Sequence, residues 1–210
     1  MPVIRSHDAP PSWCELEDFE IIDLGGGSAT RRRDAARERV MGTAGTTRLV
    51  HGGGSMVLKE GQFLDIELLP SPDYRLEACT PDAQVVRLSG HWGDDLAGCG
   101  IFRVKDEADP ADKGDPVPYR KTTRIDSHYH DCDEYWILLE GRATVVVGDQ
   151  HMEMGPGDCV TIGMGHHHDM AHAPLPVKAV FFETTLEGRK RIGHLWNHTH
   201  GPATPHPERV

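Results

Sequence analysis

The stretch from Ser127 to His172 constrains this chain more than any other. It opens Ser127-His128-Tyr129-His130-Asp131-Cys132-Asp133-Glu134 and closes its first half at Gly141. Successive side chains on an extended strand point to opposite faces, so His128 and His130 project the same way and Tyr129 does not. Three polar residues then read as a bend, and residues 135–139 as a new apolar strand with Glu134 at its start, facing back toward the imidazoles. The second half begins at the turn Gly155-Pro156-Gly157-Asp158. It passes through Cys159-Val160-Thr161-Ile162 to Gly163-Met164-Gly165-His166-His167-His168, so a fourth donor arrives from a distant strand. Histidines two apart are common on exposed strands, and a triple histidine can be a solvated loop. Their density here argues otherwise: an even spread of the 14 histidines would put three in residues 128–172, and seven are found there.

These residues resemble the cupins, whose first motif is G(x)5HxH(x)3-4E(x)6G and whose second is G(x)5PxG(x)2H(x)3N. From His128 to Gly141 the first motif is matched throughout; only its leading Gly is replaced, by Thr122. In the second, Pro156-Gly157-Asp158 fits the turn, and the longer PGDxxxIPxGxxH register found in many relatives puts the ligand at His168. His166 shares its strand parity and is the rival; His167 faces away. His172 stands where the motif closes on Asn. The resemblance covers residues 115–185. It implies an all-β, cupin-type double-stranded β-helix (a jelly-roll barrel) holding a divalent ion (Fe, Mn, Zn or Ni) on His128, His130, Glu134 and His168.

Composition narrows the partners. With 33 acidic and 22 basic residues the formal charge is -11, which disfavours nucleic acid and anionic membranes; a small-molecule substrate, neutral or cationic, is the expected partner, unless local arginines reverse the sign in its pocket. Residues 1–13 are polar and lack the apolar core of a signal peptide, so a cytoplasmic location is expected. The five cysteines, Cys14, Cys79, Cys99, Cys132 and Cys159, are odd in number and unclustered, indicating neither a disulfide framework nor a zinc ribbon. Cys132 reads as a small turn residue or as a reactive thiol.

Four segments are expected. Residues 1–34 form an arm (flexible to Pro11) and a first strand over 13–24; residues 35–108 are a degenerate cupin half, making a bicupin, or a strand extension; residues 109–187 form the metal-binding barrel; residues 188–210 are a C-terminal tail. A short helix is expected within residues 28–41 and strands over 46–50, 56–58, 63–69, 84–88 and 100–104. Laying Leu88-Ser89-Gly90 over Leu139-Glu140-Gly141 places Glu77, Cys79 and Ala83 opposite His128, His130 and Glu134, so no metal is expected in the first half. Residues 105–118 read as a linker. Residues 119–125 read as a strand on which Arg120, Thr122, Arg124 and Asp126 share the parity of His128 unless a bulge intervenes. Arg124 inward would bind a substrate carboxylate or phosphate; outward it is a surface charge. Trp136 shares the parity of Glu134 and walls the pocket or packs in the barrel. A closing strand spans 177–184. In the tail, His198 and His200 repeat the HxH spacing with no Glu in register, giving a surface or interface segment, with Trp196 packed on the body or on a partner.

Three neutral imidazoles and a carboxylate leave an ion with residual positive charge and, where it prefers more than four ligands, open positions. The resemblance implies a metal-dependent enzyme on a small oxygenated metabolite: an Fe(II) dioxygenase first, a Mn- or Zn-dependent sugar isomerase, epimerase or lyase second. A non-catalytic binding cupin is the alternative of another class. His166 and His172, if near the ion without ligating it, would serve as acid or base, and Arg124 as substrate anchor. A homodimer is expected, as in many cupins.

Overall fold

A computed structural model of the chain describes residues 2–110 and 113–210. Its strands are β1 (Val3–Arg5), β2 (Leu16–Asp23), β3 (Ser28–Arg32), β4 (Arg37–Ala44), β5 (Thr46–His51), β6 (Gly54–Lys59), β7 (Phe63–Asp65), β8 (Asp73–Ala78), β9 (Gln84–Gly90), β10 (Leu96–Val104), β11 (Glu134–Val147), β12 (Gln150–Met154), β13 (Asp158–Ile162) and β14 (His168–Thr185). A 3-10 turn at Ile66–Leu68 and the four-residue helix α1 (Asn197–His200) complete the described elements. No helix among the described residues is long and apolar enough to cross a membrane. The helix expected within residues 28–41 is instead β3 and β4. Arg31 and Arg32 are spaced for a strand's two faces, and their guanidinium groups reach Glu20 and Asp73.

The chain divides into two compact units. Ser6–Ala9 and Leu16–Trp92 form one; the chain up to Arg5, Pro10–Glu15 and Gly93–Val210 form the other. The division thus falls after Trp92, ahead of the expected linker. The described part of that stretch is bonded into the second unit, Asp106 N donating to Ala173 O and Glu107 N to Thr122 O, while Ala111 and Asp112 lie outside the described residues.

The N-terminal unit has two four-stranded antiparallel sheets, β2-β9-β4-β7 and β3-β8-β5-β6, the strand count of a jelly roll. Alternate residues such as Ile22, Val40, Leu49, Leu76 and Val85 form its core. Glu38, fully buried, accepts hydrogen bonds from Tyr74 Oη (2.7 Å) and Arg87 Nη2 (2.6 Å), so its charge is compensated inside the core. Of the positions laid over the metal motif, Glu77 is paired with Arg48 and Arg75, Cys79 is exposed and Ala83 is buried.

The C-terminal unit is one six-stranded sheet, β1-β13-β11-β14-β10, with β12 on β11. Val3 pairs with Val160 and Arg5 with Asp158, so the expected flexible arm instead extends this sheet. β11 and β14 curl to enclose the core, and their register shifts at four places between Leu138 and Val145. The core residues follow these shifts: Trp136 and Leu138 point inward before the bend, Ala143, Val145 and Val147 after it. Gly141, φ 87°, marks the corner; a Cβ there would run into the carbonyl oxygen of Pro176. Each fully buried side chain such as Leu138 contributes about 1.5–3 kcal/mol.

Candidate metal centre

His128 and His168 lie opposite one another on an antiparallel bridge, His168 N donating to His128 O (2.9 Å) and His128 N to His168 O (3.2 Å). His130 follows two residues on, on the same face, and Glu134 opens β11 beyond the bend at Asp131 and Cys132. The four ligand atoms lie within 4.8 Å of one another and all four residues are buried. That separation suits donors about 2.0–2.3 Å from a common centre. Glu134 Oε2 is 2.8 Å from His168 Nε2 and 3.3 Å from His130 Nε2.

The surroundings aim these atoms inward. His128 Nδ1 lies 2.7 Å from the carbonyl of Asp126 and His168 Nδ1 2.9 Å from that of His166, which makes Nδ1 the protonated nitrogen and leaves the Nε2 lone pairs for the centre. Trp136 Nε1 donates to Glu134 Oε1 (2.6 Å), leaving Oε2 free to ligate. Nε2 of all three imidazoles and Oε2 of Glu134 are buried without a satisfactory hydrogen bond. Each such atom costs about 1–3 kcal/mol, and a divalent cation would satisfy all four, so these residues fit the ion. The charge states agree. Burial pushes His128 well below the ordinary imidazole value and His130 down to about 4, so both are neutral donors. Burial would raise Glu134, but His130, His168 and the Trp136 donor hold it at about 2, an anion.

A cavity of about 180 Å³ opens on the His128 and Glu134 side, walled by Phe102, Ile125, Trp136 and Phe181. Two further polar groups line it that the sequence reading did not assign to the site, Glu183 and His194. Glu183 is the cross-strand partner of Glu134, 3.7 Å from His130 Nε2, and burial together with the Glu134 charge pushes it up to about 7. A glutamate directly after the apolar run 179–182 of the closing strand was the available signal. His194 stacks on His128 with ring centroids 3.6 Å apart, its Nδ1 2.9 Å from Asp126 Oδ2. Burial lowers His194, yet Asp126 outweighs it and the net shift is upward. Trp196 Nε1 donates to the same Asp126 oxygen (2.7 Å), and Tyr129 and Leu195 exchange backbone hydrogen bonds of 3.0 Å. The expected surface tail is therefore a strap bound across the site. Cys132 is buried, its thiol pushed up by burial and by Glu183, in keeping with a small turn residue.

The three residues expected to do acid–base or anchoring work lie elsewhere. His166 turns away, its Nε2 3.0 Å from the carbonyl of His206. His172 bonds Thr122 Oγ1 at 2.8 Å, because the register shift between Thr144/His172 and Val145/Met170 leaves Ala171 as an extra residue and reverses the face. Residues 119–125 are irregular rather than a strand, so no parity carries Arg124 inward; it is exposed and paired with Glu107. Trp136, by contrast, lines the pocket as its parity requires.

Known proteins agree with this architecture. The sequence profile of the cupin domain matches residues 119–182. A relative in Sinorhizobium fredii (strain NBRC 101917 / NGR234), named only as uncharacterized protein y4oW, is 50% identical over 210 residues, covering 100% of this chain and 97% of its own. Among solved structures, an IolB-like protein from Salmonella typhimurium LT2 has a TM-score of 0.56 at 14% identity, covering 94% of this chain and 97% of that one. AerE from Microcystis aeruginosa has 0.55 at 8%, covering 80% and 86%. A variant of the Bacillus subtilis oxalate decarboxylase OxdC has 0.52 at 8%, covering 92% and 78%. At these identities the structures show a shared fold. The motif, the jelly-roll strands and these matches together make the chain a member of the cupin superfamily, in one family with y4oW.

Proposed function

We propose that the protein is a metal-dependent enzyme acting on a small oxygenated metabolite, and that its chemistry is Fe(II)-dependent dioxygenation. The observation that carries this reading is the cavity beside the four ligands: it gives the centre an open side, which a structural site closed by protein would lack. Bound there, the ion would supply Lewis acidity and, as Fe(II), a seat for dioxygen next to the substrate. The chain's own residues do the rest. Phe102, Ile125, Trp136 and Phe181 exclude bulk water and suit an apolar gas and a weakly polar substrate. The volume, about 180 Å³, is that of roughly six waters. His194, braced by Asp126, is placed to donate a hydrogen bond to a substrate oxygen.

This lining offers few partners to a polyhydroxylated sugar, which puts a Mn- or Zn-dependent sugar isomerase or epimerase second. Glu183 supports that class in its lyase or isomerase form, since a buried carboxyl lining the pocket beside the ligands is positioned to hold or release a proton. Reconstitution with Fe(II), Mn(II) or Zn(II) against a panel of small oxo- and hydroxy-compounds separates the two. Substrate-dependent oxygen uptake with Fe(II) supports the lead reading; solvent deuterium incorporation without oxygen uptake supports the second. Tight metal binding with no turnover and no metal-bound exchangeable water in Mn(II) relaxation measurements would instead favour a non-catalytic binding cupin.

A further inference from the structure

A second cavity, of about 530 Å³ against about 180 Å³ for the metal pocket, shares Ile125 with it as a wall. Its lining runs against the charge of the chain. Four bases, Arg103, Lys105, Arg124 and Lys178, face two acids, Glu107 and Glu140, in a sequence with 33 acids to 22 bases. Arg103 and Lys178 are register partners directly opposite each other on β10 and β14. Like charges so placed repel, and Glu140 on the same wall is one counter-charge to them. Lys178 is buried, with its side chain 7% exposed and its Nζ 3.8 Å from Glu140, so its field is poorly screened by water. Arg124 and Lys105 stand exposed at the rim, Arg124 paired with Glu107, which an incoming anion would displace. A concave wall with this balance concentrates anions, and arginine forks match phosphate and carboxylate oxygens.

We propose that this cavity is an anion-binding site, taking the phosphate or carboxylate of a substrate whose reacting end enters the metal pocket across Ile125. The proposal rests on the proposed function for its second half only. Arg124 and His128 are four residues apart, so at most about 14 Å separates their Cα atoms, a span within reach of one elongated substrate. Arg124 then anchors substrate from outside the metal pocket.

The test titrates the full-length, metal-stripped chain with inorganic phosphate and with succinate at low salt, alongside the Lys105→Ala/Arg124→Ala double variant and His130→Ala. Both rim residues are exposed, so their removal leaves the fold intact. At least one anion should bind saturably, roughly tenfold more weakly in the double variant and unchanged in His130→Ala. Binding of phosphate alone assigns a phosphate ester, of succinate alone a carboxylate. No saturable binding of either, or undiminished binding in the double variant, overturns the site. With Mn(II) loaded, 31P relaxation should place bound phosphorus outside the ion's coordination shell; phosphorus directly on the ion would put the anion in the metal pocket and overturn the assignment. A chain that binds phosphate through Lys105 and Arg124 but takes no Mn(II) contradicts the proposed function and leaves the anion site standing.

Discussion

Asp115 ties the C-terminal strap to the barrel, and Asp115→Asn tests how much that tie matters. Its carboxylate accepts from Asn197 N (2.7 Å) and His198 N (3.3 Å), and lies 2.6 Å from His198 Nδ1 and 2.9 Å from His167 Nε2. Burial alone would raise its pKa, but these partners hold it down to about 2. Against an unfolded value near 3.8 the shift corresponds to about 2.4 kcal/mol, and the half-exposed His198 partner reduces this by solvent screening to about 1–2 kcal/mol. A depressed carboxylate contributes stability that is present above its unfolded pKa and is lost as pH falls through 3.8 toward 2, with roughly half gone at pH 3. Asp115→Asn should therefore lower Tm by about 3–6 °C at pH 7, and the gap to wild type should close by about half at pH 3. Thermal melts by circular dichroism at both pH values read this directly. An unchanged Tm at pH 7, or a gap that widens toward pH 3, would refute the electrostatic account of the strap.

Three further outcomes follow from particular contacts. Trp136→Phe keeps the aromatic wall but removes the donor to Glu134 Oε1, and should weaken metal affinity about 10–100-fold in chelator competition; unchanged affinity would mean the indole does not orient the ligand. Arg209→Ala strips the charged partner from the buried Asp133, leaving it Met164 N at the same oxygen, and should cost about 3 kcal/mol in chemical denaturation; a loss under about 1 kcal/mol would show that the carboxylate finds another partner. In the N-terminal unit, Tyr74→Phe leaves the fully buried Glu38 with one donor fewer and should cost about 1–2 kcal/mol by the same method, an effect near zero counting against a charge network held by that phenol.

The clustering of His128, His130, Glu134 and His168 was legible because it depends on local rules: strand alternation for His128 and His130, a short bend before Glu134, and a glycine turn before His168. What failed depends on register. One extra residue at Ala171 turned His172 away, and loss of strand geometry over residues 119–125 removed the parity that would have carried Arg124 inward. Glu183 and His194 reach the pocket through pairings far apart in sequence, Glu134 with Glu183 and Tyr129 with Leu195, which no short-range pattern specifies. The missed β1 is a similar case, since three residues gain their strand only from the edge offered by β13. Residues 28–41 misled because an arginine-rich run satisfies helix propensity as well as a strand whose charges are paired across the sheet.

If His128, His130, Glu134 and His168 gather one divalent ion, the metal content of the protein must follow those side chains. Elemental analysis of untagged protein and of its single alanine variants, with folding checked by circular dichroism, tests it most directly. One ion per chain is expected in the wild type, with its loss in folded His128→Ala, His130→Ala and His168→Ala and its retention in His166→Ala. Metal content unchanged by His128→Ala and His130→Ala, or lost with His166 rather than His168, would contradict it.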